Sequence, residues 1–392
     1  MSVRIILSFD PGSSLTKVIY QIDRGDGVGK KQYLRLMEPS VLKIPLTRVE
    51  VHQKTSVLSM PLADRLWVQS RCQDEYEVAA VGFLAQQLQL GSGERYQELK
   101  YEVALYKLLA VIGLIVKTHQ LPQPVYLSVS CVLPYSEYGN REQLRALLSQ
   151  NMRSFQLLDA SIEGILEHWQ CFPESFGMLH LSQAKSDAPE QVVSLMFGHR
   201  NISCLVFHRG MLVEQCSQST DLGFRQLVES VAQRASIQDR PLLMQVLYKL
   251  ERLGKLIRVD EPLIQRLCQS RDPSNRATEA RLISTAIEQC VEEYWCLVRS
   301  WLSSQMPLNI DQVVIAGGAA YYLQRHLREH FSTTPQYWAE EHLGKIPKIL
   351  GFKVLGLASD DVNSEALAVR LMDIYGIHQL AMSRRLSNRL IC

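Results

Sequence analysis

Asp10, Gly12, Ser13, Ser14, Thr16 and Lys17 fall within eight consecutive residues, between the apolar segments Ile5–Phe9 and Val18–Tyr20. A carboxylate closes the first segment, a tight turn of glycine and serine follows, and a lysine opens the second. A hairpin tip of this composition can hold a phosphate. Gly12 lets the backbone approach a ligand with no Cβ in the way. The amides and hydroxyls of Ser13, Ser14 and Thr16 offer donors, and Lys17 brings a positive charge. Asp10 stands where a hydrated Mg²⁺ would be held. An ordinary β-hairpin with a polar turn is the other reading of the same residues, and the segment alone does not choose between them.

The elements that must position this tip follow from periodicity. Ile5–Phe9, Lys17–Ile22 and Tyr33–Met37 read as an antiparallel meander. The loop Gly25–Lys31 is rich in glycine and lysine but lacks the spacing of a nucleotide P-loop, which needs glycine, four residues, then Gly-Lys-Ser/Thr; it reads as a flexible hairpin loop. Apolar residues recur at helical spacing from Tyr96 to about Lys117, a strand spans Val125–Val132, and Asn140 is placed to cap a helix from Arg141 to about Gln150. A second unit of similar design begins near Gln191. Strands are expected at Gln191–Phe197, Ile202–Phe207 and Met211–Cys216, with an exposed turn at Arg271–Arg276. An amphipathic helix from Arg281 to Met306, ended by Pro307, carries Ile283, Ile287, Cys290, Val291, Tyr294, Leu297, Val298, Trp301 and Leu302 on one face. Strand Gln312–Ala316 then enters the turn Gly317-Gly318. Alternating strands and helices of this kind imply an α/β protein whose sheets are covered by helices. The polar segment Ser182–Glu190 reads as a loop or a crossing between domains, and the tail with Arg384, Arg385 and Arg389 as a frayed end in preference to a short interaction helix.

The 392 residues are enough for two domains, and 46% hydrophobic with 21% charged residues is ordinary for a folded soluble chain. A net charge of +2 gives no reason to expect direct nucleic-acid or membrane-surface binding. Nine scattered cysteines, with no C-x-x-C pair and no zinc spacing, read as reduced thiols of a cytoplasmic protein. No leader sequence is expected, and the longest apolar run, Leu105–Val116, is too short to span a bilayer.

The hairpin at Asp10–Lys17 resembles the first phosphate loop of the superfamily that holds actin, the heat-shock chaperone ATPases and the sugar kinases. Further segments fit in order. Ala79–Ala85 resembles a "VGxxA" segment, and Leu133-Pro134-Tyr135-Ser136-Glu137-Tyr138 resembles the "GLPxxEY" of the plasmid-segregation actins, the ParM/StbA family. Phe172-Pro173-Glu174-Ser175 resembles their "PES", Asp221-Leu222-Gly223 the start of the helix after the second phosphate hairpin, and Val313–Ala320 the adenosine loop. The resemblance implies a two-domain actin-like fold, a duplicated RNase H-like unit with a nucleotide in the cleft between domains. It places domain I at 1–188 and 350–392 and domain II at 189–349. It further implies ATP (or GTP) with Mg²⁺ held by Asp10 through water, Asp10 and Glu174 as the catalytic acids, and Glu174 orienting the attacking water. Gly198, His199, Arg200 and Asn201 would form the second phosphate turn; Asp221, Gly223, Gly317, Gly318 and Ala319 would contact the nucleotide.

The chain departs from that pattern at the second turn. The family's Asp-x-Gly-Gly-Thr-Thr is here Met196-Phe197-Gly198-His199-Arg200-Asn201. A methionine holds no hydrated metal, and loss of one preorganised electrostatic group costs on the order of 100- to 1000-fold in rate. Two functions follow from the resemblance. One is a homopolymeric filament that segregates plasmid or other DNA through an adaptor protein, with Trp67-Val68 and Leu386–Ile391 as candidate exposed contacts. The other is a non-polymerising, catalytically degenerate scaffold. A small-molecule kinase finds no substrate-binding insertion to support it.

Overall fold

The computed structural model describes residues 3–25, 31–55, 60–72, 75–89, 99–183, 189–252, 261–343, 346–350 and 364–389. Most of the loop at Gly25–Lys31, the centre of the Ser182–Glu190 segment, and Leu390 and Ile391 lie outside the described residues. In chain order the strands are β1 (Arg4–Asp10), β2 (Thr16–Asp23), β3 (Gln32–Met37), β4 (Val41–Lys43), β5 (Trp67–Cys72), β6 (Glu75–Val81), β7 (Val125–Leu133), β8 (Phe155–Leu157), β9 (Ala160–Ile162), β10 (Gly164–Pro173), β11 (Gln191–Phe197), β12 (Ile202–His208), β13 (Met211–Leu212), β14 (Gln218–Thr220), β15 (Gln312–Ala316) and β16 (Gln336–Tyr337). They belong to two compact units, residues 1–186 with 339–392, and residues 187–338. Residues 339–349 had been expected in the second unit. The short helices Glu340–Leu343 and Ile346–Leu350 instead pack on the helix Ser364–Arg389 of the first.

In the first unit one sheet has the order β10-β7-β1-β2-β3. β1 pairs antiparallel with β2, so that Asp10 faces Lys17 across the hairpin. β1, β7 and β10 run parallel. Their carboxyl ends therefore coincide, and Asp10, the turn Tyr135–Asn140 and Glu174 all emerge at one edge, where open α/β sheets place their ligands. β1 is buried almost throughout, as a strand covered on both faces must be. A second, antiparallel sheet has the order β4-β6-β5-β8-β9. The helix Lys100–Thr118 joins both sheets in one core, with Leu105–Val116 buried without interruption. Lys107 within that run is buried too, and its ammonium donates to the Pro11 carbonyl at 3.1 Å, so the buried charge is hydrogen-bonded at the tip of the β1–β2 hairpin.

In the second unit β11 and β12 form an antiparallel hairpin, and β11 runs parallel to β15, as β15 does to β16. The helices Phe224–Arg234, Arg240–Arg252 and Pro273–Gln305 cover this sheet. Among the described residues no helix is long and apolar enough to cross a membrane.

Several local expectations are corrected. The long helix starts at Pro273 rather than Arg281, because Asp272 accepts the Asn275 amide as an N-cap and Pro273 suits the first helical position; the residues read as a turn are its first turn. Leu297, expected on its buried face, is exposed. Asn140 does not cap: it ends a 3₁₀ turn, Tyr135–Asn140, which runs directly into the helix Arg141–Met152. The third strand expected at Met211–Cys216 is only two residues long and gives way to a 3₁₀ turn at Glu214–Cys216. Trp67 and Val68 are buried in the core, so they form no exposed contact surface. The C-terminal segment is helical to Arg389 rather than frayed.

Candidate functional site

The β1–β2 hairpin closes on a tight glycine turn with open polar atoms at its tip. A Cβ on Gly12 would sit 2.5 Å from the Leu15 carbonyl oxygen, so the tip closes only around a glycine. Lys17 pairs with Asp10 Oδ2. The buried Asp10 Oδ1 and Thr16 Oγ1 have no hydrogen-bond partner among the described residues. A buried acceptor and a buried hydroxyl left open at a hairpin tip are what a ligand or its water would satisfy. Ser13 and Ser14 are half-buried at the same tip, and the Arg370 guanidinium donates to Ser14 Oγ at 3.0 Å.

Glu174 leaves the end of β10 and is buried. Its Oε1 accepts from Lys100 Nζ at 2.5 Å. Burial pulls the Lys100 ammonium down, but the carboxylates of Glu174, Asp10 and Glu137 outweigh it and raise the group above the ordinary lysine value. Lys100 therefore stays charged. Glu137, in the turn after β7, also accepts the Tyr101 amide at 2.9 Å and so anchors the start of the helix that carries Lys100. Behind Glu174, Asp373 accepts from the backbone amides of Ser175, Gly177 and Met178. Its burial pushes the carboxyl up to about 7, with the fields of Asp10 and Glu174 adding to the rise and the backbone donors opposing it.

In the second unit the turn Gly198–Asn201 is one block with two glycine contacts. A Cβ on Gly223 would lie 2.2 Å from the Arg200 carbonyl carbon. That close approach lets the Phe224 and Arg225 amides donate to the Gly198 and His199 carbonyls, at 3.2 and 2.8 Å. Gly317 has φ +95°, and a Cβ there would lie 2.2 Å from the Phe197 carbonyl oxygen and 2.9 Å from Met196 Sδ. His199 and Arg200 are half-buried, Asp221 is exposed, and Gly318 opens a short helix in which Ala319 is buried in the core. Asn201 is buried, with its Oδ1 unpartnered among the described residues. Gly198, Gly223 and Gly317 thus meet within this unit. The helix amides that might have faced a phosphate are instead spent on the turn itself.

The donor set fits phosphate better than a metal. Among the described residues no group of three or more His, Cys, Asp or Glu side chains is arranged to hold an ion. Asp10 Oδ1 is the one open carboxylate oxygen at the hairpin, suited to a water on a cation rather than to direct ligation. Met196, the last residue but one of β11, is buried with its sulfur against Gly317 and brings no carboxylate to the turn.

Sequence reasoning identified Asp10, Lys17 and Glu174, and the fold brings Lys100, Glu137, Arg370 and Asp373 to them. Lys100 opens an apolar helix, and Asp373 is the lone acid in Leu371-Met372-Asp373-Ile374-Tyr375. A charge isolated in an apolar run was the available signal for Asp373; Lys100, with Glu98 and Glu102 close by in sequence, gave none.

No protein-family description and no curated protein matches the chain. Solved structures do. The actin-like protein Alp7A superposes with a TM-score of 0.64 at 15% identity, covering 100% of this chain and 98% of Alp7A. A ParM filament structure from Clostridium botulinum gives 0.54 at 14% identity, over 98% of this chain and 100% of that one. Bacillus thuringiensis ParM with ADP gives 0.56 at 11% identity, over 97% and 99%. These matches run nearly end to end on both sides, and this chain has the actin-like fold that Alp7A and ParM share.

Proposed function

We propose that this protein binds a nucleoside triphosphate, ATP or GTP, and assembles with copies of itself into a filament that moves plasmid or other DNA through a separate DNA-binding adaptor. The observation that carries the reading is the hairpin tip, where Gly12 closes the turn and Asp10 Oδ1 and Thr16 Oγ1 are buried and open. Support for the nucleotide comes from a fold neighbour whose structure contains ADP, and for self-assembly from neighbours described as ParM and Alp12 filaments.

In this reading the Ser13, Ser14 and Thr16 donors and Lys17 of the first unit hold phosphates, and in the second unit the turn Gly198–Asn201, with His199 and Arg200, is the candidate phosphate-binding turn. Mg²⁺, held through water on Asp10, supplies charge neutralisation of the phosphates when bound. Hydrolysis would join a water oxygen to the γ-phosphorus as the bond to the β–γ bridging oxygen breaks, leaving the nucleoside diphosphate and inorganic phosphate; Glu174 orients that water. Catalysis of this type is mainly positioning and electrostatics.

The test is calorimetric titration with ATP, GTP and their diphosphates, with and without Mg²⁺, followed by pelleting and negative-stain microscopy. Nucleotide-dependent pelleting is the expected result. A protein that binds none of the four and stays monomeric at high concentration overturns the reading. Met196 favours a second reading, a nucleotide-binding scaffold that does not hydrolyse. Tight binding without phosphate release would select it.

A further inference from the structure

The residue after Glu174 is strained. Ser175 has φ +78°, a left-handed conformation that costs a non-glycine residue on the order of 1 kcal/mol or more and persists only where its surroundings enforce it. The enforcing group is Asp373. Its carboxylate accepts the Ser175 amide at 2.9 Å on one oxygen, and those of Gly177 and Met178 at 2.8 and 3.2 Å on the other.

Asp373 belongs to the helix Ser364–Arg389, and two glycines let that helix come so close. A Cβ on Gly177 would sit 1.9 Å from the Asp373 carbonyl oxygen, and one on Gly376 would sit 2.1 Å from the Gly177 carbonyl oxygen. The same helix reaches β1 through His378 and Ser8 Oγ, 3.0 Å apart, and reaches the hairpin tip through Arg370 and Ser14. One helix therefore contacts the strand that ends in Asp10, the hairpin tip, and the backbone that carries Glu174.

We propose that Asp373 is the positioning residue for Glu174: its carboxylate holds the left-handed turn at Ser175, and that turn keeps Glu174 on Lys100. Without the carboxylate, Ser175 relaxes to an ordinary φ and Glu174 swings with it. The consequence for turnover rests on the proposed nucleotide function, but the clamp itself does not.

The experiment compares the wild-type chain, Asp373→Asn, and Asp373→Asn combined with Ser175→Gly. Glycine adopts φ +78° without strain, so the second change restores the turn without restoring the charge. Two readouts are taken at a constant pH of about 8, above the value to which burial raises Asp373, on protein shown to be folded by its melting curve: amide hydrogen exchange of the segment Phe172–Ser182, and single-turnover release of phosphate from ATP·Mg²⁺ alongside the nucleotide Kd.

Asp373→Asn is expected to speed exchange in that segment and slow turnover by about 10- to 100-fold, the cost of a misplaced group, with Kd held within about threefold. The double variant is expected to recover most of the turnover. Unchanged exchange and rate in folded Asp373→Asn overturns the proposal, as does a double variant that recovers nothing. A wild-type protein that binds nucleotide without releasing phosphate sinks the role given to Glu174, and the exchange measurement then decides the clamp by itself.

Discussion

Lys100 Nζ lies 2.5 Å from Glu174 Oε1, and both side chains are buried. Neither could be there alone. A buried ammonium or carboxylate that loses its partner leaves an uncompensated charge, at a cost of roughly 3–5 kcal/mol, whereas replacing both by apolar groups of similar volume is often neutral or better. Lys100→Met is therefore expected to lower stability by about that amount in urea denaturation, and Lys100→Met with Glu174→Leu to recover most of it. Equal losses in the single and double variants would show that the pair is not what holds these side chains in place.

Gly317 and Gly210 separate conformational strain from steric conflict. Both have positive φ, +95° and +75°, but a Cβ on Gly210 meets nothing within 4 Å while one on Gly317 meets the Phe197 carbonyl at 2.2 Å. Gly210→Ala is expected to cost about 1–2 kcal/mol, the left-handed penalty alone. Gly317→Ala adds overpacking against a backbone that cannot give, for roughly 2–5 kcal/mol in all. Thermal melts of the two variants check the order, and similar shifts in both would contradict it.

The part of the site carried by local sequence was readable in advance, and the part carried by long-range packing was not. Asp10, Gly12 and Lys17 announce themselves because a hairpin compresses them into one turn, where residue type and spacing suffice. Glu174 was reached only through resemblance to a known motif; its burial and its lysine partner come from the register of β10 on β7 and from a helix 74 residues earlier. Asp373 lies 198 residues from the amide of Ser175 that it holds, and no periodicity links them. Boundaries failed where a cap outweighed apolar spacing: Asp272 and Pro273 start a helix eight residues before its apolar stripe becomes regular. Trp67 and Val68 failed for a different reason. A short apolar segment looks the same whether it faces water or, as here, the helices Lys100–Thr118 and Arg141–Met152.

Asp373 and His378 lie on one helix and work against each other as pH changes. Asp373 keeps its proton up to about 7 in the folded chain, far above the unfolded value of 3.8, with Asp10 and Glu174 as the charged groups that raise it further. Between about 4 and 7 the folded state thus binds more protons than the unfolded state, so stability falls as pH rises through that window. His378 has the opposite sign. Burial lowers it to about 4, its Nε2 has no partner among the described residues, and the unfolded value is 6.5. Between about 4 and 6.5 the unfolded state binds more protons, so stability falls as pH drops. Each effect amounts to a few kcal/mol and they offset. Asp373→Asn should expose the acid sensitivity of His378, with a melting temperature that drops steeply below pH 6. His378→Gln should expose the Asp373 slope, with a melting temperature that rises on acidification from pH 7. A Asp373→Asn profile parallel to wild type would show that Asp373 does not titrate in this window.

Met196 is the residue whose replacement most directly tests the metal chemistry of the second turn. It is buried, opposite Ser203 and beside Ala316, with its sulfur against Gly317. Met196→Asp places a carboxylate in a buried position beside Ser203, Ala316 and Gly317, none of them a cation, and a buried unpaired charge is costly enough that the group would sooner take up a proton. The variant is therefore expected to melt below wild type in EDTA. If the turn Gly198–Asn201 faces a nucleotide, the new carboxylate gains a function when Mg²⁺ arrives with the phosphates, because the ion neutralises it and orders its waters. Mg²⁺ with ATP should then raise the melting temperature of Met196→Asp by more than it raises that of wild type, while ATP in EDTA should not. Phosphate release should also increase, since restoring a lost preorganised group can return on the order of 100-fold in rate. A variant whose melting temperature and phosphate release are the same with Mg²⁺ as with EDTA would place this turn away from any bound metal–nucleotide, and the altered residues His199, Arg200 and Asn201 would then be structural.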